Sequence, residues 1–189
     1  MDVIDVTLRV AAALERVGIG YFLGGSLASS LHGEPRSTND VDLVVDLAAS
    51  KVTELAAALG PDFDVDEEAL RRAAEERSSW NVFFQPLLTK IDLFVLRGGA
   101  FDASEFGRRR AVEVRPGQRL FVKSPEDSVL RKLLWYREGG SERQWQDVVE
   151  VLRHGRTGLD SGYLDGWARR LGVEDLLARA KHDAAFPAP

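Results

Sequence analysis

Three aspartates and a glycine turn are the residues of this chain whose types and spacing could do chemistry. Asp40 and Asp42 stand one residue apart in Asn39-Asp40-Val41-Asp42-Leu43-Val44-Val45, and Asp92 lies within Ile91-Asp92-Leu93-Phe94-Val95. On a strand, alternation sends Asp40 and Asp42 to one side and Val41, Leu43 and Val45 into a core. Two carboxylates held side by side resist joint ionisation, so a cation, a proton or basic side chains must compensate. Carboxylate oxygens are hard ligands, which suits Mg²⁺ or Mn²⁺ better than zinc, and Mg²⁺ usually takes one or two protein carboxylates together with substrate phosphates. Asp92, amid buried-strand residues, meets the same desolvation argument unless something charged faces it.

The run Tyr21-Phe22-Leu23-Gly24-Gly25-Ser26 reads as an apolar strand, a glycine turn and the start of a helix. Backbone N–H groups at a helix start have no intrahelical acceptor and can receive phosphate oxygens, which makes Gly24, Gly25 and Ser26 candidate phosphate-binding residues. The Ser26 hydroxyl can meet a γ-phosphate or cap the helix, and both can hold together. Arg36, four residues ahead of Asp40, can touch phosphate or form a loop salt bridge. Three acids from two adjacent strands beside such a turn meet the requirements of two-metal phosphoryl or nucleotidyl transfer, with ions roughly 3.5 to 4 Å apart at the attacking and leaving oxygens. Covalent catalysis finds no support: there is no cysteine, no Gly-x-Ser-x-Gly elbow, and the histidines at 32, 154 and 182 form no cluster in sequence.

The elements that must position these groups follow from periodicity. Ile4, Leu8, Ala11 and Ala12 predict a helix stopped by Gly18-Ile19-Gly20, Ser26 to His32 a short helix, and Val52, Leu55, Ala56 and Leu59 an amphipathic helix ended by Gly60-Pro61. A helix over 66–76 precedes strands at 80–84 and 90–96, joined through Pro86 as a hairpin, and a strand near 110–114 precedes 119–122, which pairs with it or leads into the next helix. Ser124-Pro125-Glu126-Asp127 supplies an N-cap, proline at the first helical position and acid in the first turn of a helix running to Glu138. Beyond it the patterns are all helical. The expected architecture is α/β (α+β), a short mixed sheet flanked by helices over 1–123 with a C-terminal helical lobe over 124–189.

The chain has 189 residues, a net charge of −5 and no cysteine. Disulfides and thiolate metal sites are therefore excluded, no stretch has membrane-spanning length, and a cytoplasmic protein is expected. Overall acidity argues against indiscriminate nucleic-acid binding, yet 108–138 holds nine basic residues against four acidic ones. That run is either a solvated face or a patch facing the phosphates of a nucleotide or RNA. The four tryptophans are expected in the core.

Leu23-Gly24-Gly25-Ser26, the spacer, Asp40-Val41-Asp42-Leu43 and the later Ile91-Asp92-Leu93 resemble the signature of the DNA polymerase β superfamily of nucleotidyltransferases. Within it, His32-Gly33-Glu34-Pro35-Arg36-Ser37-Thr38-Asn39-Asp40 is similar to the stand-alone bacterial branch that includes AbiEii-type toxins of toxin–antitoxin pairs. Ser124 to Lys132 and Arg143 to Val148 resemble that branch's lysine-bearing and aspartate-bearing helices. The resemblance implies that Asp40, Asp42 and Asp92 hold Mg²⁺ or Mn²⁺, that Lys132 reaches the triphosphate of an NTP, and that Asp147 positions Lys132 or a neighbouring arginine. It implies transfer of an NMP to an acceptor hydroxyl on RNA, a tRNA end or a protein, and a cognate antitoxin as partner. A small antibiotic-type acceptor, or a non-catalytic module binding nucleotide or a partner, are the alternatives.

Overall fold

The computed structural model describes residues 1–32, 40–155 and 158–185, and these divide into two compact units, Met1–Leu27 with Ser37–Lys123 and Ala28–Arg36 with Ser124–Pro189. The first unit is built on a seven-stranded mixed sheet. Helix α1 (Val3–Val17) starts at Asp2, whose carboxylate accepts from the N–H groups of Ile4 and Asp5 while Asp5 returns a bond to the Asp2 N–H. This reciprocal capping box satisfies two orphan donors. Gly18, at φ 75°, ends the helix in the left-handed conformation that glycine adopts without strain.

The sheet strands are β1 (Tyr21–Leu23), β2 (Val41–Val45), β3 (Phe63–Asp64), β4 (Ser79–Phe84), β5 (Thr89–Val95), β6 (Arg110–Arg115) and β7 (Gln118–Val122), arranged β3-β4-β5-β2-β1-β7-β6. Two pairs are parallel, β2 with β5 and β1 with β7, and the others antiparallel. Strand β1 is buried along its whole length, whereas β2 and β5 alternate. Val41, Leu43 and Val45 from β2 and Ile91, Leu93 and Val95 from β5 pack inward, each burial favouring the fold by about 1.5–3 kcal/mol. Asp42 and Asp92 are left on the other face.

Helix α2 (Gly25–His32) follows β1, and α3 (Val52–Leu59) and α4 (Glu67–Glu76) follow β2. Asp66 caps α4 by accepting from the Ala69 N–H. The hairpin expected around Pro86 forms, with a 3-10 turn at Gln85–Leu87. The pairing of 119–122 with the strand before it is also seen. Two elements have no counterpart in the sequence reading: the two-residue β3 at the sheet edge and α5 (Ala100–Arg108). Helix α5 buries Phe101 and Glu105, and its Phe106 ring fills the space beside Gly20, where a Cβ would come within 2.7 Å of it.

The second unit contains α6 (Pro125–Gly139), α7 (Glu142–His154), α8 (Ser161–Leu171) and α9 (Glu174–Ala185), together with Ala28 to His32 of α2. The Ser124 hydroxyl accepts from the Asp127 N–H at 3.1 Å and donates to the Asp127 carboxylate at 2.6 Å, and Gly140 at φ 63° closes α6. Trp145 of α7 stacks against Tyr136 of α6 at 4.9 Å and donates its indole N–H to Asp183 of α9 at 3.0 Å. Of the four tryptophans only Trp145 is a core residue. Trp80 and Trp135 are exposed and Trp167 is half-buried. Among the described residues no helix is long and apolar enough to cross a membrane.

Candidate functional site

Parallel pairing sets Asp42 directly beside Asp92 on neighbouring strands, and the strand alternation puts both on the face opposite the buried valine, leucine and isoleucine rows. Adjacent strands are about 4.8 Å apart, so the two carboxyl groups share one neighbourhood. Asp40 lies one residue ahead of β2 and is exposed. The strand expected to begin at Asp40 begins at Val41.

A lysine completes this cluster. Lys90 is two residues before Asp92 on β5 and shares its face; its ammonium lies 2.8 Å from the Asp92 carboxylate, which is only 14% exposed. That hydrogen bond holds the Lys90 pKa above its ordinary value; burial opposes the shift, and the charges of Asp92, Asp40 and Asp42 reinforce it. All three acids therefore act on one ammonium. On the other side of β5, Asn81 of β4 is the register partner of Asp92 and the exposed Phe83 that of Lys90.

The glycine turn is fastened to Asp42. The Gly24 N–H donates to the Asp42 carbonyl at 2.8 Å. Gly25 has φ +59°, and a Cβ there would stand 1.8 Å from Asp42 Oδ2. Only glycine fits, on both conformational and steric grounds. Ser26 is half-buried in the first turn of α2. Beneath Gly24, the buried Lys123 ammonium lies 3.3 Å from the buried Glu105 carboxylate and 5.3 Å from the centre of the Phe22 ring.

The donor set of Asp42 and Asp92, with Asp40 nearby, is hard oxygen and fits Mg²⁺ or Mn²⁺. Among the described residues, no group of three or more His, Asp or Glu side chains is placed to hold a metal ion, so the acids offered here are the pair Asp42 and Asp92. In this structure the positive charge against Asp92 is the Lys90 ammonium.

Two other candidates belong to the second unit. Lys132 of α6 donates to Asp147 of α7 at 2.8 Å and to Gln144 at 3.2 Å, with the lysine and aspartate side chains 4% and 8% exposed. Nearby on α6, Asp127 also accepts from the Tyr163 hydroxyl at 2.6 Å, and Glu126 accepts from the Asp160 N–H at 2.9 Å. Arg36, with Thr38 and Asn39, lies outside the described residues.

The basic run at 108–138 is not a uniformly cationic surface. Lys123 and Lys132 are buried against carboxylates, Arg115 pairs with Asp2 and Asp5, and Arg119 reaches Glu113. Arg109 lies over the Phe106 ring at 4.2 Å, and Arg137 donates to the Leu171 carbonyl at 2.6 Å. Sequence reasoning missed Lys90 and the Lys123–Glu105 pair. Lys90 carried a usable signal, its two-residue spacing from Asp92 on a strand. Lys123 and Glu105 carried none, since they meet only through α5.

No family model matches the sequence, and no curated protein matches it. Solved structures do match the fold. One is an antigenic nucleotidyltransferase-like protein from Paracoccidioides brasiliensis, at a TM-score of 0.54 and 22% identity over 94% of this chain and 92% of that one. Another is the antibiotic-resistance factor ANT(2'')-Ia, at a TM-score of 0.52 and 18% identity over 96% of this chain and 100% of that one. A structure of ANT(2'')-Ia in complex with adenylyl-2''-tobramycin matches at a TM-score of 0.51 and 16% identity, over 95% and 99% of the two chains. At these identities the likeness is one of fold: a mixed sheet flanked by helices, as in nucleotidyltransferases.

Proposed function

We propose that this chain is a metal-dependent nucleotidyltransferase that moves an NMP from an NTP to an acceptor hydroxyl and releases pyrophosphate. The observation that carries the reading is the placement of Asp42 in register with Asp92 while Gly25 lies against the Asp42 carboxylate. Metal-ligating acids and a phosphate turn are thereby fused into one piece of structure. The nucleotidyltransferase-like fold neighbours are consistent with it.

Asp40, Asp42 and Asp92 would hold Mg²⁺ or Mn²⁺, which when bound neutralises charge on the triphosphate and lowers the pKa of the attacking hydroxyl. The N–H groups of Gly25 and Ser26 would orient the phosphates, while Gly24, whose N–H is bonded to the Asp42 carbonyl, shapes the turn; Arg36, Lys132 and Asp147 are further candidate nucleotide contacts. Asp92 accepts the acceptor's proton as its oxygen bonds to the α-phosphorus and the bond to the bridging oxygen of pyrophosphate breaks. Chemistry of this kind is mostly positioning and electrostatics.

The acceptor in this reading is an RNA, such as a tRNA end, or a protein, in a toxin-like role with a cognate antitoxin and a cytoplasmic address. A small cationic acceptor is the second reading. It is favoured by the neutralisation of Lys123, Lys132, Arg115 and Arg119 within the fold, which weakens the electrostatic case for RNA, and by the acids around Asp42. One experiment separates these readings. Each α-³²P-labelled NTP is incubated with Mg²⁺ or Mn²⁺ and the protein, then with total RNA, cell protein or aminoglycosides, alongside Asp42→Asn. Label on one acceptor class, lost in the variant, supports transfer and identifies the acceptor. Equal labelling by Asp42→Asn sinks the site assignment, and nucleotide binding without transfer to any acceptor favours a non-catalytic module.

A further inference from the structure

The Lys90 ammonium occupies a carboxylate that a divalent cation at this site would also use. Lys90 Nζ lies 2.8 Å from Asp92 Oδ2, and Asp92 is the register partner of Asp42. A metal ion bound by the Asp92 carboxylate withdraws its negative charge from Lys90 and repels the ammonium at short range, so it weakens this contact. The Lys90 side chain is 37% exposed and anchored on the same sheet face as both acids, so a released ammonium stays close to them. It then needs another anion. A triphosphate lying on the Gly24-Gly25 turn beside Asp42 brings that anion within the same neighbourhood.

Resting on the nucleotidyltransferase reading, we infer that Lys90 is a positioning residue that couples nucleotide binding to metal binding. Without ligands its ammonium is a counter-cation of Asp92. When metal and NTP arrive together it gives up Asp92 and pairs with phosphate oxygen. Lys90 thus weakens binding of metal alone and strengthens binding of the nucleotide once metal is present. The two effects have opposite signs.

The test titrates Mn²⁺ alone, followed by electron paramagnetic resonance, and then a fluorescent, non-hydrolysable methylene-bridged analogue of each NTP at saturating Mn²⁺. The parent, Lys90→Met and Lys90→Arg are compared. Lys90→Met is expected to bind Mn²⁺ alone at least about fivefold more tightly and the analogue at least about fivefold more weakly, within the range of ordinary coupling. Lys90→Arg keeps both parental behaviours. A variant that is merely damaged loses affinity for both ligands, and that outcome overturns the inference, as does unchanged Mn²⁺ affinity. Lys90→Gln repeats the measurement should Lys90→Met misfold, as judged by circular dichroism in EDTA. If the parent binds neither Mn²⁺ nor any analogue, the nucleotidyltransferase reading falls and the inference falls with it; Mn²⁺ and analogue binding that Lys90→Met leaves untouched sinks the inference alone.

Discussion

Gly25 lies so close to Asp42 that a single added methyl group would stand 1.8 Å from the aspartate's Oδ2. The left-handed φ of +59° adds a penalty of about 1–2 kcal/mol for any L side chain. Gly24, by contrast, has room for a Cβ at ordinary contact distances of 3.8–3.9 Å. Gly25→Ala should therefore lose at least about 1–2 kcal/mol in urea denaturation and shed nucleotide-dependent stabilisation. Gly24→Ala should stay within about 0.5 kcal/mol of the parent. Equal stability of the two variants would mean that Asp42 moves freely away from the turn.

Metal dependence gives a second expectation. With Mg²⁺ and a cognate NTP at about a hundred times its dissociation constant, the parent should gain about 2.7 kcal/mol, and EDTA should abolish the gain. Asp42→Asn keeps the size and shape of the side chain, so it should still unfold cooperatively in EDTA while the ligand-induced shift disappears. A shift of parental size in Asp42→Asn would remove Asp42 from the metal site.

How much of this was legible in the sequence depends on whether the signal is local. Alternation around Asp42 and Asp92, the glycine turn, and the Ser124-Pro125 helix start are each encoded within a few residues, and the structure shows the corresponding strands, turn and cap. The register that sets Asp42 beside Asp92 is not local. It arises because β2 and β5 pair in parallel across two helices and a hairpin. Helix α5 escaped because Phe101 and Glu105 are its buried residues, and a buried glutamate mimics a surface position until Lys123 is known to face it. A charge count along the chain likewise does not see Asp2, Glu105 or Asp147, which come from elsewhere to meet Arg115, Lys123 and Lys132.

The buried Lys132–Asp147 pair should behave as a structural unit whatever its role with nucleotide. Removing one partner breaks an ion pair whose side chains are 4% and 8% exposed, at a cost of up to about 3–5 kcal/mol. Asp147→Leu and Lys132→Met should each destabilise by roughly that amount, and the double variant by much less than their sum. Urea denaturation of the four proteins closes the cycle. A folded double variant that no longer binds nucleotide would assign the pair to the site, whereas retained binding would make it purely structural.

The N-terminal cap separates hydrogen bonding from charge. The Asp5 N–H, then the Arg115 guanidinium, hold the Asp2 carboxyl below its ordinary pKa of 3.8, with burial opposing. A depressed folded-state pKa means that Asp2 stabilises the fold fully above its unfolded value, about 3.9, and that this contribution is lost as pH falls through the lower folded value. Asn keeps the cap geometry without the charge, so Asp2→Asn should flatten this acid limb while costing little at neutral pH. Asp2→Ala should cost about 1 kcal/mol at neutral pH through loss of the bonds to the Ile4 and Asp5 N–H groups. Because the Asp2 side chain is 57% exposed, added salt should shrink the part owed to Arg115 and leave the cap untouched. Denaturation from pH 2 to 7 at low and high salt checks both halves; an Asp2→Asn profile with the parental acid slope would show that the carboxylate charge contributes nothing.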